Sequence, residues 1–185
     1  SFLTGGVAFG TNVYFVVATA LNASTGDDDV VGARLSTSGM VLDVPPLVIG
    51  ADALGHGGVV SRQPVASSGT VFLVAWDNAG MTEVRLYSPD GATLTPPLSL
   101  GNGARPSVTF DGVHFVLSRH TPEGLSLVRL TLNGALVSPQ VVIPFSAFEV
   151  GGEVLLASAA PGTVLVAYSR FDSTAGVGTR RVRTR

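Results

Sequence analysis

The stretch 69–94, GTVFLVAWDNAGMTEVRLYSPDGATL, decides the fold. It opens on a turn pair, Gly69-Thr70, and runs into the β-rich segment Val71-Phe72-Leu73-Val74-Ala75-Trp76. A second run, Val84-Arg85-Leu86-Tyr87, ends in Pro89-Asp90-Gly91 and Ala92-Thr93-Leu94. Asp-Gly between strand-like runs signals a hairpin, and a type I′ turn there needs positive φ at both central residues. Pro96-Pro97-Leu98-Ser99-Leu100 follows as a further short strand.

The same order recurs on both sides. Thr11-Asn12, Asp111-Gly112 and Gly162-Thr163 precede β-rich runs that start at Val13, Val113 and Val164. Val31-Gly32-Ala33-Arg34-Leu35 leads to Ser38-Gly39, and Leu127-Val128-Arg129-Leu130 leads to Asn133-Gly134. Pro45-Pro46-Leu47-Val48-Ile49 and Pro139-Gln140-Val141-Val142-Ile143 repeat the last element. Each unit holds about four strands, and no stretch keeps a helical period. A radial array of four-stranded sheets satisfies this pattern, because each sheet buries its faces on its neighbours. The expected fold is an all-β, four-unit β-propeller-like domain over 1–185, with units at about 5–60, 61–103, 104–148 and 149–185. A β-sandwich is the alternative, but it does not require the periodicity. The last unit reaches a third-strand candidate, Val177 to Arg183, and stops there. This suggests part of a larger propeller, with the unfinished unit pairing with another chain or a further segment.

Composition narrows the classes. The chain has 185 residues, is 45% hydrophobic and 13% charged, and contains no Cys. Disulfide-stapled and thiolate-metal classes are excluded. A net charge of −2 does not supply the basic field of a nucleic-acid binder. Arg180, Arg181, Arg183 and Arg185 form the one basic cluster and fit a solvated edge strand. No apolar stretch is long and uninterrupted enough to be a spanning helix.

The segments Phe9–Val17, Asp29–Leu35 and Ser38–Asp43 resemble bacterial secreted and cell-surface β-propeller-like repeats of the myxobacterial type. The resemblance implies an extracellular or cell-envelope location and carries no catalytic motif. Ala18 stands where those repeats place an aromatic.

Candidate chemistry is sparse. Asp27, Asp28 and Asp29, beside Asn22, Ser24 and Thr25, offer oxygens that suit Ca²⁺, although without the alternation of an EF-hand loop. His114 and His120 fall on one expected strand, about 20 Å apart at ~3.3 Å per residue, too far to share an ion. His56 lies in a Gly-rich loop. Asp77, Arg119 and Arg170 each follow the start of their β-rich run by six residues. Equivalent strand-end positions are therefore expected, with His120 and Trp76 beside them, as a ligand surface where loops of several units meet. The expected role is a non-catalytic recognition module for a protein or carbohydrate partner. One alternative is a polysaccharide hydrolase or lyase with carboxylates in the propeller channel. The other is a structural subunit of a larger assembly.

Overall fold

The computed structural model describes residues 2–51, 53, 61–145, 149–172 and 179–184. The described residues form strands and turns, and no helix among them is long and apolar enough to cross a membrane.

Four antiparallel sheets follow one another along the chain. Sheet one holds β1 (Phe2–Gly10), β2 (Val13–Leu21), β3 (Asp28–Ser36) and β4 (Leu47–Gly50). Sheet two holds β5 (Val65–Ser67), β6 (Phe72–Asn78), β7 (Met81–Tyr87) and β8 (Leu98–Asn102). Sheet three holds β9 (Ala104–Phe110), β10 (Phe115–Thr121), β11 (Gly124–Leu130) and β12 (Leu136–Pro144). Sheet four has three described strands, β13 (Glu149–Ala160), β14 (Thr163–Asp172) and β15 (Thr179–Thr184). Each is a meander of neighbouring strands, the blade form the repeats imply.

The sheets stack through both faces. On β6, Phe72, Val74 and Trp76 point toward sheet one and join Phe15, Val17, Val30 and Ile49 in one core. Leu73 and Ala75, on the opposite face, join Phe115, Leu117 and Leu130 of sheet three. The third core sets Leu125 and Ile143 against Val154, Leu156, Val166 and Tyr168. A strand sandwiched on both sides reads as a continuous apolar run rather than an alternating one. That is why Val71 to Trp76 shows no polar alternation. Phe15 lies 5.3 Å from both Phe72 and Tyr87, ring to ring, so aromatic contacts fix the first seam.

Near the axis, where the first strands meet, polar bonds replace apolar contacts. The Gln63 side-chain amide donates to Leu156 O and accepts from Leu156 N, each at 2.9 Å. Gln63 O also accepts the Val108 amide at 2.9 Å. One residue at the entry to sheet two thus ties sheets three and four. Ser107 Oγ donates to Val154 O at 2.9 Å, a second buried tie.

The turns correct one expectation. Gly91 and Gly134 have positive φ, but Asp90 and Asn133 are not among the positive-φ residues. Gly91 N donates to Ser88 O, and Ser88 N to Ala92 O, which closes a three-residue loop. It is a type I turn with glycine in the left-handed region, not a type I′ pair. Pro89, restricted to negative φ, occupies the first loop position, and Asp90 Oδ1 accepts the Ala92 amide. The type I′ signature occurs instead at Thr11-Asn12 and Ala79-Gly80, where both φ values are positive.

These loops also hold charge. The Arg34 guanidinium meets Asp43 at 2.7 Å, and Asp43 Oδ2 accepts the Arg34 backbone amide at 2.7 Å. In sheet two, Thr95 Oγ1 takes the corresponding amide, that of Leu86, at 3.3 Å. The hydrogen bond from Arg34 holds the Asp43 carboxyl below its ordinary pKa. Asp111 is fully buried; burial pushes its pKa up, but the amides of His114 and Val113 and the Arg129 guanidinium outweigh this and leave it lowered.

Two outcomes follow. Replacing Gln63 by Ala strands both backbone groups of buried Leu156 and should cost about 2 kcal/mol, read from urea unfolding. Because Asp43 is depressed in the folded state, its contribution is present above the ordinary carboxylate range and disappears as pH falls through the folded value. The stability gap between the wild type and Asp43→Asn should therefore close on acidification, measured as unfolding midpoints against pH.

Candidate functional site

In these meanders the second-to-third-strand hairpins and the starts of the next first strands share one end. Every residue expected to carry ligand chemistry lies toward that end, but the scaffold uses them differently.

Trp76 is buried at 1% exposure. Its indole packs close to Gly50, where an added Cβ would sit 2.8 Å from Nε1. It fills the first seam and presents no face to a ligand. Asp77 Oδ1 accepts the Gly80 amide at 2.8 Å and caps the β6–β7 hairpin. Arg119 is 7% exposed and points back into the second seam, where Nη1 donates to Leu100 O and to Gly101 O. Burial lowers its pKa, and Glu123 offsets this in part. With Leu100, Val128, Leu136, Val137 and Gln140, Arg119 lines a cavity of about 160 Å³.

The expected equivalence of Asp77, Arg119 and Arg170 does not hold. Asp77 pairs with Thr82, one step back from the Asn78–Met81 pair beside the turn. Arg119 pairs with Ser126, two steps back from Thr121–Gly124. The position equivalent to Asp77 is therefore His120, and Arg119 matches Trp76. The slip arises at Asp111-Gly112-Val113-His114: the turn consumes both Val113 and His114, whose amides bond Asp111 Oδ1, and β10 starts only at Phe115. His114 accordingly lies in that turn and not on the strand shared with His120.

The slip puts His120 on the face toward sheet four. Its Nε2 lies 2.8 Å from Gly152 O. Its ring stands 5.9 Å from Phe145, and the Arg170 guanidinium lies over the same Phe145 ring at 4.8 Å. Arg170 also donates to Pro144 O at 3.1 Å, and Tyr168 stacks on Phe145 at 6.4 Å. Two of the expected residues, His120 and Arg170, therefore meet around an aromatic that the sequence did not single out. Gly151 is what permits the approach, since a Cβ there would stand 2.2 Å from the imidazole. Burial lowers the His120 pKa; the bond to Gly152 and the charge of Glu153 act against this, while Arg105 adds to it. Arg105 is exposed at the start of β9 with a positive φ of 53°. Arg62 and Glu153 pair nearby at 3.5 Å.

Asp28 and Asp29 are successive residues of β3 and so face opposite sides of sheet one, and Asp28 is buried. Asp29 Oδ1 accepts from Asn22 Nδ2 at 3.5 Å, and Asp27 belongs to the preceding turn. Among the described residues, no group of three or more His, Asp or Glu side chains is gathered for a metal ion. His56 and Arg185 lie outside the described residues, as do the side chains of Arg180 and Arg181.

No family model matches the chain, and no curated protein does. Solved structures do. The β-propeller domain of the Trilobed protease from Pyrococcus furiosus, described as having an open velcro topology, aligns over the whole chain with TM-score 0.53 and 8% identity. The acylaminoacyl peptidase of Pyrococcus horikoshii aligns equally fully, also at TM-score 0.53 and 8% identity. TolB from Acinetobacter baumannii aligns over 98% of the chain with TM-score 0.45 and 12% identity. The chain covers 58% of the first structure and 33% of the second. The fold is thus of the β-propeller class, and the sandwich alternative falls away. At these identities the likeness concerns the fold alone.

His120 titrates below its ordinary value of 6.5, so the unfolded chain takes the proton first. Stability should fall as pH drops from about 6.5 through the folded value, and His120→Gln should remove that part of the decline. Unfolding midpoints across this range, with the imidazole followed by NMR, provide the check.

Proposed function

We propose that the chain is a non-catalytic recognition module that binds a carboxylate-bearing ligand at the mouth of the seam between sheets three and four. The observation that carries this reading is the His120–Phe145–Arg170 group. A guanidinium held over an aromatic ring is positioned to meet a carboxylate, and a half-buried ring offers an apolar platform beside it. Arg105, exposed at the same end, adds positive charge beside it, while Arg62 is paired with Glu153. An extracellular or cell-envelope setting, implied by the repeat resemblance, would supply acidic polysaccharide or acidic protein segments.

Two of the related solved structures carry the names of a protease and a peptidase. A propeller in such company is compatible with a binding role beside a catalytic unit.

Polygalacturonate and polyglutamate serve as probes, titrated by calorimetry at low and physiological salt. Binding should weaken with salt. Arg170→Ala should weaken it about tenfold, the equivalent of ~1.4 kcal/mol. Failure of both polymers to bind, or unchanged affinity in Arg170→Ala, would overturn the reading.

A further inference from the structure

The two outer sheets present apolar faces to solvent. On sheet one, Phe15 and Val17 point into the first seam, so Tyr14 and Val16 point away from it. Register places Phe9 opposite Tyr14 and Val7 opposite Val16 on that outward face, with Val48 opposite Val31. Val7, Phe9, Tyr14 and Val48 are each 40–60% exposed. Phe9 and Tyr14 contact each other at 4.9 Å between ring centroids, already forming an aromatic surface.

Sheet four repeats this on its outer side. Val166 and Tyr168 enter the third core, so Leu165, Ala167 and Phe171 face outward. Leu155 lies opposite Ala167, and Val182 opposite Ser169, on the same face. Leu155, Leu165, Phe171 and Val182 are 42–75% exposed.

What these faces fit can be read from the seams already made. At the second seam, Leu73 and Ala75 of β6 meet Phe115 and Leu117 of β10. The positions of β14 that match Leu73 and Ala75 are Leu165 and Ala167. The positions of β2 that match Phe115 and Leu117 are Tyr14 and Val16. The free face of sheet four therefore carries the same leucine–alanine pair, and the free face of sheet one the same aromatic–aliphatic pair. The packing that joins sheet two to sheet three would join sheet four to sheet one.

We infer that a second copy of this chain covers both faces, sheet four of each copy packing on sheet one of the other. The two contacts are related by a two-fold axis, and each is heterologous in its residues. Eight sheets would then close a ring within the size range of propellers. No ligand is involved, so the inference stands apart from the recognition role.

The test is the mass of the purified 185-residue chain by light scattering and native mass spectrometry at micromolar concentration. A species of twice 18.9 kDa is expected. Tyr14→Glu and Leu165→Glu change opposite faces at exposed positions, so each should keep its β-sheet circular dichroism and run as an 18.9 kDa monomer. Mixing the two variants restores one of the two contacts and sets both glutamates in the other, so a pair weaker than the wild-type dimer is expected. A monomeric wild type, an open polymer, or a dimer that survives both substitutions would overturn the inference.

Discussion

A β-sheet that is apolar on both faces cannot stand alone in water, and this constraint organises the whole molecule. β6 is the plainest instance: Phe72, Val74 and Trp76 leave one face while Leu73 and Ala75 leave the other, and all five are buried. Burying a large apolar side chain stabilises by roughly 1.5–3 kcal/mol. Such a strand therefore demands a neighbour on each side, and successive demands set sheet after sheet in order. Hairpins keep each sheet together; the seams make the array. Close to the axis the inner strands crowd, and Gln63 and Ser107 satisfy backbone groups that apolar side chains would leave unpaired.

The same crowding decides which polar residues remain for a ligand. Trp76 and Arg119 occupy matching positions and are both drawn into seams, one as packing and one as a donor to the carbonyls of β8. Asp77 is taken up by its own hairpin. At the third seam, Gly151 clears room, and His120, Phe145 and Arg170 gather there. A binding role rests on that group and not on the fold, since propeller architecture hosts unrelated activities.

The fold was legible because its signals are local and repeated: turn pairs, short β-rich runs and recurring glycines that the unit length made conspicuous. Sheet order followed from the periodicity alone. Turn type was less legible, because Pro89 and the Asp90 side chain select a three-residue loop where the dipeptide suggests a two-residue one. The site was only half legible. Counting residues from Val113 placed Arg119 at the strand end, but the Asp111 side chain winds two further residues into the turn and shifts the register by one. A one-residue shift exchanges faces, so it also decided that His120, not Arg119, meets sheet four. Phe145 carried no signal, since its partners come from β10 and β14 and meet only in three dimensions.

Gln63 has a consequence for how the array melts. In an ideal solenoid each unit touches only its neighbours, and unfolding can spread from either end one unit at a time. Here a single side chain stands at the entry to sheet two, spans the inner strand of sheet three and grips Leu156 in sheet four. Units that are not adjacent thus share an energetic term. Fraying of the fourth sheet must break a bond anchored beside the second, so the inner part of the array is coupled as one cooperative block rather than as a string of independent steps.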